Sequence, residues 1–286
     1  MTSCESLYLA GRQLAAANID CATVEAELLL CHVLGTSKTK IYGEPERVLT
    51  SIEIGHLQHL IQRRLLHEPA AHILGCSEFY GREFYIDHRA LIPRPETELI
   101  VEEAIKLVQK RSLSENHLAI ADIGTGSGVI AISLALEFPF ARIYATDISN
   151  PALQVAEINC RRHKVSRQVK LLQGDLLEAL PEPVNMLVAN LPYVRDRELR
   201  ILSQEIAKFE PLLALAGGND GLDEIRRLLD QLPGRISNGG CLILEIGQGQ
   251  DRTVKSIIRA YFPQASIELI PDLGGTNRVV KATLEV

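Results

Sequence analysis

A chain of 286 residues, 46% apolar and 23% charged, has the makeup of a globular protein of about two domains. Its net charge of -6 and pI near 5.8 argue against a broad phosphate-tracking surface. No apolar run reaches the roughly 20 residues needed to cross a bilayer, and the start Met1-Thr2-Ser3-Cys4-Glu5 lacks the charged and apolar regions of a signal peptide.

The first seventy or so residues read as short helices. Leu7, Leu14 and Ala15 recur at helical spacing, and Val24, Leu28, Cys31 and Leu34 do so in the next segment, with Asp20 as its expected cap. A third helix has a clear start: Thr50 and Glu53 make a capping box, and Leu49 with Ile54 fit a hydrophobic staple. Its stripe is Ile54, Leu57, Ile61 and Leu65, and Pro69 stops it. His56 and His59 sit three apart here, with no Cys or carboxylate cluster beside them, and read as a solvated helix face. Helices this short must pack on one another to be stable.

Between about 73 and 95 the pattern changes. Phe79, Tyr80, Phe84, Tyr85 and Ile86 surround Gly81, which predicts a β-hairpin. In Leu91-Ile92-Pro93-Arg94-Pro95-Glu96-Thr97-Glu98 the two prolines hold Arg94 extended, and Thr97 or Glu96 can open a helix from Leu99 to Val108. This segment is either a stiff linker with a helix cap or a rigid loop over a neighbouring site. The expected division is a helical domain over 1–73, a hairpin linker over 74–95 and an α/β domain over 96–286.

From about 118 strands and helices alternate. Leu118–Ile123, Arg142–Thr146, Val169–Leu172, Asn185–Ala189 and Cys241–Ile246 are apolar strand candidates with helical patterns between most of them, which predicts a doubly wound, mostly parallel sheet. Pro151 marks the first position of one helix. Ser266–Ile270 and Arg278–Val280 can supply a terminal antiparallel pair. The six cysteines (Cys4, Cys21, Cys31, Cys76, Cys160, Cys241) form no C-x-x-C pair; they read as buried thiols of a reducing, cytoplasmic compartment and not as a metal site.

Three strand ends carry polar residues of interest. Asp122-Ile123-Gly124-Thr125-Gly126-Ser127-Gly128 opens a helix after the first strand; glycines allow close backbone approach to a ligand. The spacing G-x-G-x-G departs from the dinucleotide fingerprint and favours a ligand without a pyrophosphate, such as S-adenosylmethionine. The alternative is a structural strand-to-helix turn. Asp147 ends the second strand, where a carboxylate can accept from both ribose hydroxyls. Asp175, in Gly174-Asp175-Leu176, falls where an adenine is expected, or else is an ordinary loop cap. Asn190-Leu191-Pro192-Tyr193 closes the apolar run Met186–Ala189. An Asn at a strand's carboxyl end, followed closely by Pro, is poorly placed to continue the ladder. Its side-chain oxygen and the next backbone carbonyl are two adjacent acceptors for a nitrogen bearing two N–H groups, a carboxamide or an exocyclic base amine. The alternative is a polar turn. The glycine loop, Asp147 and Asn190 fall at successive strand ends in the order a cofactor site requires.

Together these residues resemble the HemK/PrmC family of protein-(glutamine-N5) methyltransferases. The resemblance spans nearly the whole chain, through Glu68–Gly75, Leu91–Glu98, the glycine loop, Asn190–Tyr193, Glu210-Pro211, Gly217–Leu222, Leu244–Gln248 and Gly275–Val280. It implies a small helical domain, a hairpin linker and a class I methyltransferase domain. It implies methyl transfer from S-adenosylmethionine to the glutamine of the Gly-Gly-Gln motif in class 1 peptide chain release factors, with no metal, nucleic acid or membrane involved and a monomeric enzyme. Asn190, Leu191, Pro192 and Tyr193 are the implied catalytic set: Asn190 and the Leu191 carbonyl hold the amide, and Tyr193 packs on it. Gly124, Thr125, Gly126, Ser127, Gly128, Asp147, Asp175, Leu176 and Asn190 are the implied cofactor site. Arg94 and Glu98 are either braces over the cofactor or a structural salt bridge. The chain departs from the family's Asn-Pro-Pro-Tyr at Leu191, which retains the carbonyl; Tyr80 stands where the linker often has Trp, and Leu176 where some members stack an aromatic. Asn-Leu-Pro-Tyr also resembles the site of ribosomal RNA adenine dimethyltransferases. An adenine-N6 methyltransferase, a glutamine methyltransferase acting on a ribosomal protein and a catalytically silent binding module are therefore the competing readings.

Overall fold

A computed structural model describes residues 1–111 and 118–284, which fall into two compact units. One comprises Met1–Cys76 with Ser203–Phe209; the other comprises Ser77–Leu202 and Glu210–Val286.

The first unit holds α1 (Ser3–Ala16), α2 (Ala22–Leu34), α3 (Lys38–Gly43), α4 (Ser51–Leu65) and α5 (Ala70–Leu74). Capping boxes start α1 (Thr2 with Glu5) and α4 (Thr50 with Glu53), each satisfying two otherwise orphaned N–H groups. Leu14, Leu29, Leu30, Leu57 and Ile61 form the core, and Leu49 and Ile54 pack into it as a staple. Two expectations fail in α2. Its N-cap is Cys21, in the left-handed region, and Asp20 caps nothing. Its buried face is Ala26, Leu29 and Leu30, whereas Val24 and Leu28 are exposed. The run Leu28-Leu29-Leu30 satisfies two registers of a 3.6-residue stripe, so periodicity alone does not choose the face. His56 and His59 are exposed; so are Cys4 and Cys21, against the expectation of buried thiols, which holds for Cys160 and Cys241 in the second unit.

The second unit starts at Ser77, inside the hairpin of β1 (Cys76–Phe79) and β2 (Arg82–Tyr85). Tyr80 and Gly81, both at positive φ, form its two-residue turn. A 3-10 turn, Pro95–Thr97, leads into α6 (Glu98–Arg111). The remaining strands are β3 (Ala119–Ile123), β4 (Arg142–Asp147), β5 (Val169–Gln173), β6 (Val184–Ala189), β7 (Ile236–Glu245), β8 (Ser266–Pro271) and β9 (Asn277–Thr283). The helices are α7 (Val129–Glu137), α8 (Asn150–Arg162), α9 (Asp196–Leu199), α11 (Asp223–Gln231) and α12 (Asp251–Tyr261), with α10 (Gln204–Phe209) in the first unit. Ser149 caps α8, so Pro151 is its second residue rather than its first.

The seven-stranded order is β5-β4-β3-β6-β7-β9-β8, parallel except at β9, which is antiparallel to both neighbours. The sheet buries both faces, as a doubly wound sheet must. On one face Ile120, Met186, Val188 and Ile243 meet α6 and α7 residues such as Ile100 and Ile132. On the other, Ile123, Leu187, Leu242 and Leu244 meet Leu228 of α11 and Ile258 of α12. The strand order reverses between β3 and β6, where ligands bind in such sheets.

Candidate active site

Strand register builds the site. Ile123 pairs with Ala189, and Ala189 pairs with Leu244, so Gly124, Asn190 and Glu245 emerge side by side at the carboxyl ends of β3, β6 and β7. Ile123 also pairs with Thr146, which brings Asp147 to the other side of the glycine loop. A cavity of about 430 Å³ opens there. Gly124, Gly126, Asp147, Asp175, Leu176, Asn190, Leu191 and Pro192 line it.

Asp147 holds its loop by two short bonds. Oδ2 accepts the Gly126 N–H at 2.8 Å and Oδ1 accepts the Ser149 N–H at 2.8 Å. Burial raises the pKa of this carboxyl, against the pull of those N–H groups. Each oxygen keeps a lone pair for a further donor. Asp175 is ion-paired with Arg227, itself a cavity residue. Leu176 takes a left-handed backbone (φ 53°), secured by the Thr146 hydroxyl donating to its carbonyl at 3.0 Å.

Thr125, Ser127 and Gly128, expected at the cofactor, are not in the cavity wall; the side chains of Thr125 and Ser127 are buried. The Thr125 hydroxyl donates to Asp122 at 2.6 Å, and the Ser127 carbonyl accepts from Asn159 of α8 at 2.9 Å. They shape the loop from behind. Arg94 is paired with Glu210 at 2.5 Å, and Glu98 accepts the Tyr80 N–H at 2.7 Å, so both make the structural contacts and neither lines the cavity.

The Asn190–Tyr193 segment is clamped from outside. Val194 exchanges hydrogen bonds with Leu215 and Gly217, each at 2.9 Å, and Gln250 Nε2 donates to the Tyr193 carbonyl at 3.1 Å. A Cβ on Gly217 would stand 2.6 Å from the Pro192 carbonyl oxygen, and one on Gly221 (φ 78°) 2.3 Å from that of Tyr193. Only glycine allows this approach.

Asn190 Nδ2 donates to Thr97 Oγ1 at 3.1 Å, and Thr97 donates to Glu245 Oε2 at 2.7 Å. The Tyr193 hydroxyl donates to Glu245 Oε1 at 3.1 Å and its ring stands outside the cavity wall. Burial raises the pKa of Glu245, and burial followed by the neighbouring Glu245 raises that of Tyr193. Among the described residues no donor engages Asn190 Oδ1 or the Leu191 carbonyl. Sequence reasoning passed over Thr97 except as a helix opener, and Glu245 except as part of a matching segment. Glu245 had a usable signal: like Asp147 and Asn190, it is a polar residue ending an apolar strand. Cavity residues Arg89, Ile148, Leu212, Leu213, Glu224 and Arg227 carried none.

Residues 5–75 match the family model of the PrmC N-terminal domain, and residues 103–217 match that of the methyltransferase small domain. The release factor glutamine methyltransferase of Moorella thermoacetica is 39% identical over 279 residues, covering 97% of each chain. That of Koribacter versatilis is 38% identical over 283 residues, covering 98% of each. Among solved structures, the N-terminal domain of human METTL16 in complex with SAH aligns with a TM-score of 0.53 and 18% identity, over 75% of this chain and 81% of that one; it supports the fold alone. With full-length relatives at this identity, the chain belongs to the release factor glutamine methyltransferase family.

Proposed function

We propose that this protein transfers a methyl group from S-adenosylmethionine to the side-chain amide nitrogen of the glutamine in the Gly-Gly-Gln motif of class 1 peptide chain release factors. The observation that carries the reading is the pair of unengaged acceptors at the cavity, Asn190 Oδ1 and the Leu191 carbonyl. The cofactor fits what lines that cavity. Its volume lies in the range of small-molecule sites. Gly126 leaves open space where a side chain would stand, and the Asp147 carboxylate has lone pairs for two hydroxyls. When bound, the cofactor supplies a methyl group already activated by its sulfonium.

An amide nitrogen is a weak nucleophile because its lone pair is delocalised, so placement is the enzyme's main task. Asn190 and Leu191 each accept one amide N–H and fix the nitrogen's direction. As positive charge develops on that nitrogen, the same two oxygens stabilise it at no reorganisation cost. Pro192 keeps Leu191 extended, and Gly217 and Gly221 hold the segment from behind. Asp147 takes the ribose end and Asp175, braced by Arg227, the adenine edge. The proton leaves to solvent once the nitrogen is methylated. The helical unit, matched separately by its own family model, docks the protein substrate.

N190A tests this reading. It is expected to lower kcat by about 10²–10³, the usual cost of removing one preorganised group at a developing charge, while calorimetry shows nearly unchanged S-adenosylmethionine affinity. Equal loss of both would overturn the role given to Asn190.

A further inference from the structure

Glu245 is 2% exposed and Thr97 3% exposed, and among the described residues no cation lies within ion-pair distance of Glu245. Burying a carboxyl without a counter-ion raises its pKa, and only its hydrogen bonds work against that. Here they are bonds from two hydroxyls, Thr97 and Tyr193. The Thr97 hydroxyl donates to Glu245 Oε2 at 2.7 Å, so its single hydrogen is committed there. The Thr97 oxygen can then only accept from Asn190. It must meet the NH2 end of that amide, and the carbonyl end is turned away from it.

We propose that Glu245 and Thr97 are positioning residues that set the rotational state of the Asn190 amide, so that its oxygen and not its nitrogen faces the substrate. An amide turned the other way would present two N–H groups to a substrate that also brings N–H groups. The inference rests on the reading of Asn190 above. Three chain segments meet in the relay: the turn before α6, the residues following β6 and the end of β7. Register sets Glu245 beside Asn190, and the Pro95–Thr97 turn supplies the hydroxyl between them. Glutamine at position 245 would keep the shape but lose the direction. Its NH2 could face Thr97, free the Thr97 hydrogen and let the Asn190 amide turn over.

The test compares T97V, T97S, E245Q and N190A for kcat on release factor and for S-adenosylmethionine affinity by calorimetry. T97V keeps shape and removes the hydroxyl. It is expected to lower kcat about tenfold or more with cofactor affinity within about threefold of the parent, the pattern of a lost transition-state interaction. T97S is expected to restore most of that kcat, and E245Q to fall with T97V. T97V or E245Q at parental kcat, or T97S as impaired as T97V, overturns the proposal. E245Q could disturb folding, but T97V and T97S leave the carboxylate in place and keep the test decisive. If N190A itself retains full kcat, the reading of Asn190 fails first; if N190A is impaired and T97V is not, only the relay fails.

Discussion

Asp122, two residues before Gly124, is fully buried, and one carboxyl oxygen has no hydrogen-bond partner among the described residues. Burial pushes its pKa up to about 7, against the pull of the Thr125 hydroxyl and the Ala131 N–H on its other oxygen. An unfolded Asp titrates near 3.8. Between these values the folded state holds a proton that the unfolded state has released, so stability falls as pH rises, by about 1.4 kcal/mol per pH unit at most. D122N removes the titration, and its urea midpoint should fall less than the parent's between pH 5 and pH 7. Equal slopes in both proteins would contradict this. Asp122 also shows where residue-level reading runs short. The sequence displays a carboxylate before a glycine loop, but only the packing of α7 against β3 reveals that it braces the loop instead of facing the cavity. The same holds for Thr125 and Ser127, whose polarity marks a site when read alone and whose partners are Asp122 and α8. The place of Asn190 in the cavity wall was legible because it closes an apolar strand, with Pro192 two residues on. Thr97 was not, since its partners lie 93 and 148 residues away.

Elements were legible where one local rule decided them. The capping box of α4 and the Gly81 hairpin follow from residues within a few positions of each other. The α2 register did not, because an apolar triplet fits two faces and tertiary packing chooses. The segment Gly217–Leu222 shows a motif whose reason appears only in three dimensions: its glycines give room to the backbone of Pro192 and Tyr193. G221A would place a methyl group 2.3 Å from the Tyr193 carbonyl at a positive φ. It should displace the acceptor pair and lower kcat about 10²-fold, as small misplacements of reacting groups do, with methylation assays at saturating cofactor as the measure. Parental kcat in G221A would show that the clamp is dispensable.

At the scale of the whole molecule, the doubly wound, mostly parallel sheet was readable from alternating strand and helix patterns, whereas the strand order that reverses between β3 and β6 was not. The membership of Ser203–Phe209 in the helical unit was not. Within that unit Arg64, 2% exposed, is paired with both Glu25 and Glu205, residues 39 and 141 positions away. No periodicity signals such a pairing. The chain thus runs from Tyr193 into the helical unit and returns at Glu210, which Arg94 and the Ile92 N–H hold in the second unit. The full enzyme, with both units, is therefore the right reagent for the central claim that a glutamine carboxamide receives the methyl group. The most direct measurement is tandem mass spectrometry of full-length release factor after incubation with enzyme and S-adenosylmethionine, with ribosomal RNA and ribosomal proteins as parallel substrates. One added methyl group on the glutamine of the Gly-Gly-Gln motif, with none on RNA adenine, is the predicted result. Methylated adenine with an unmodified release factor would contradict it.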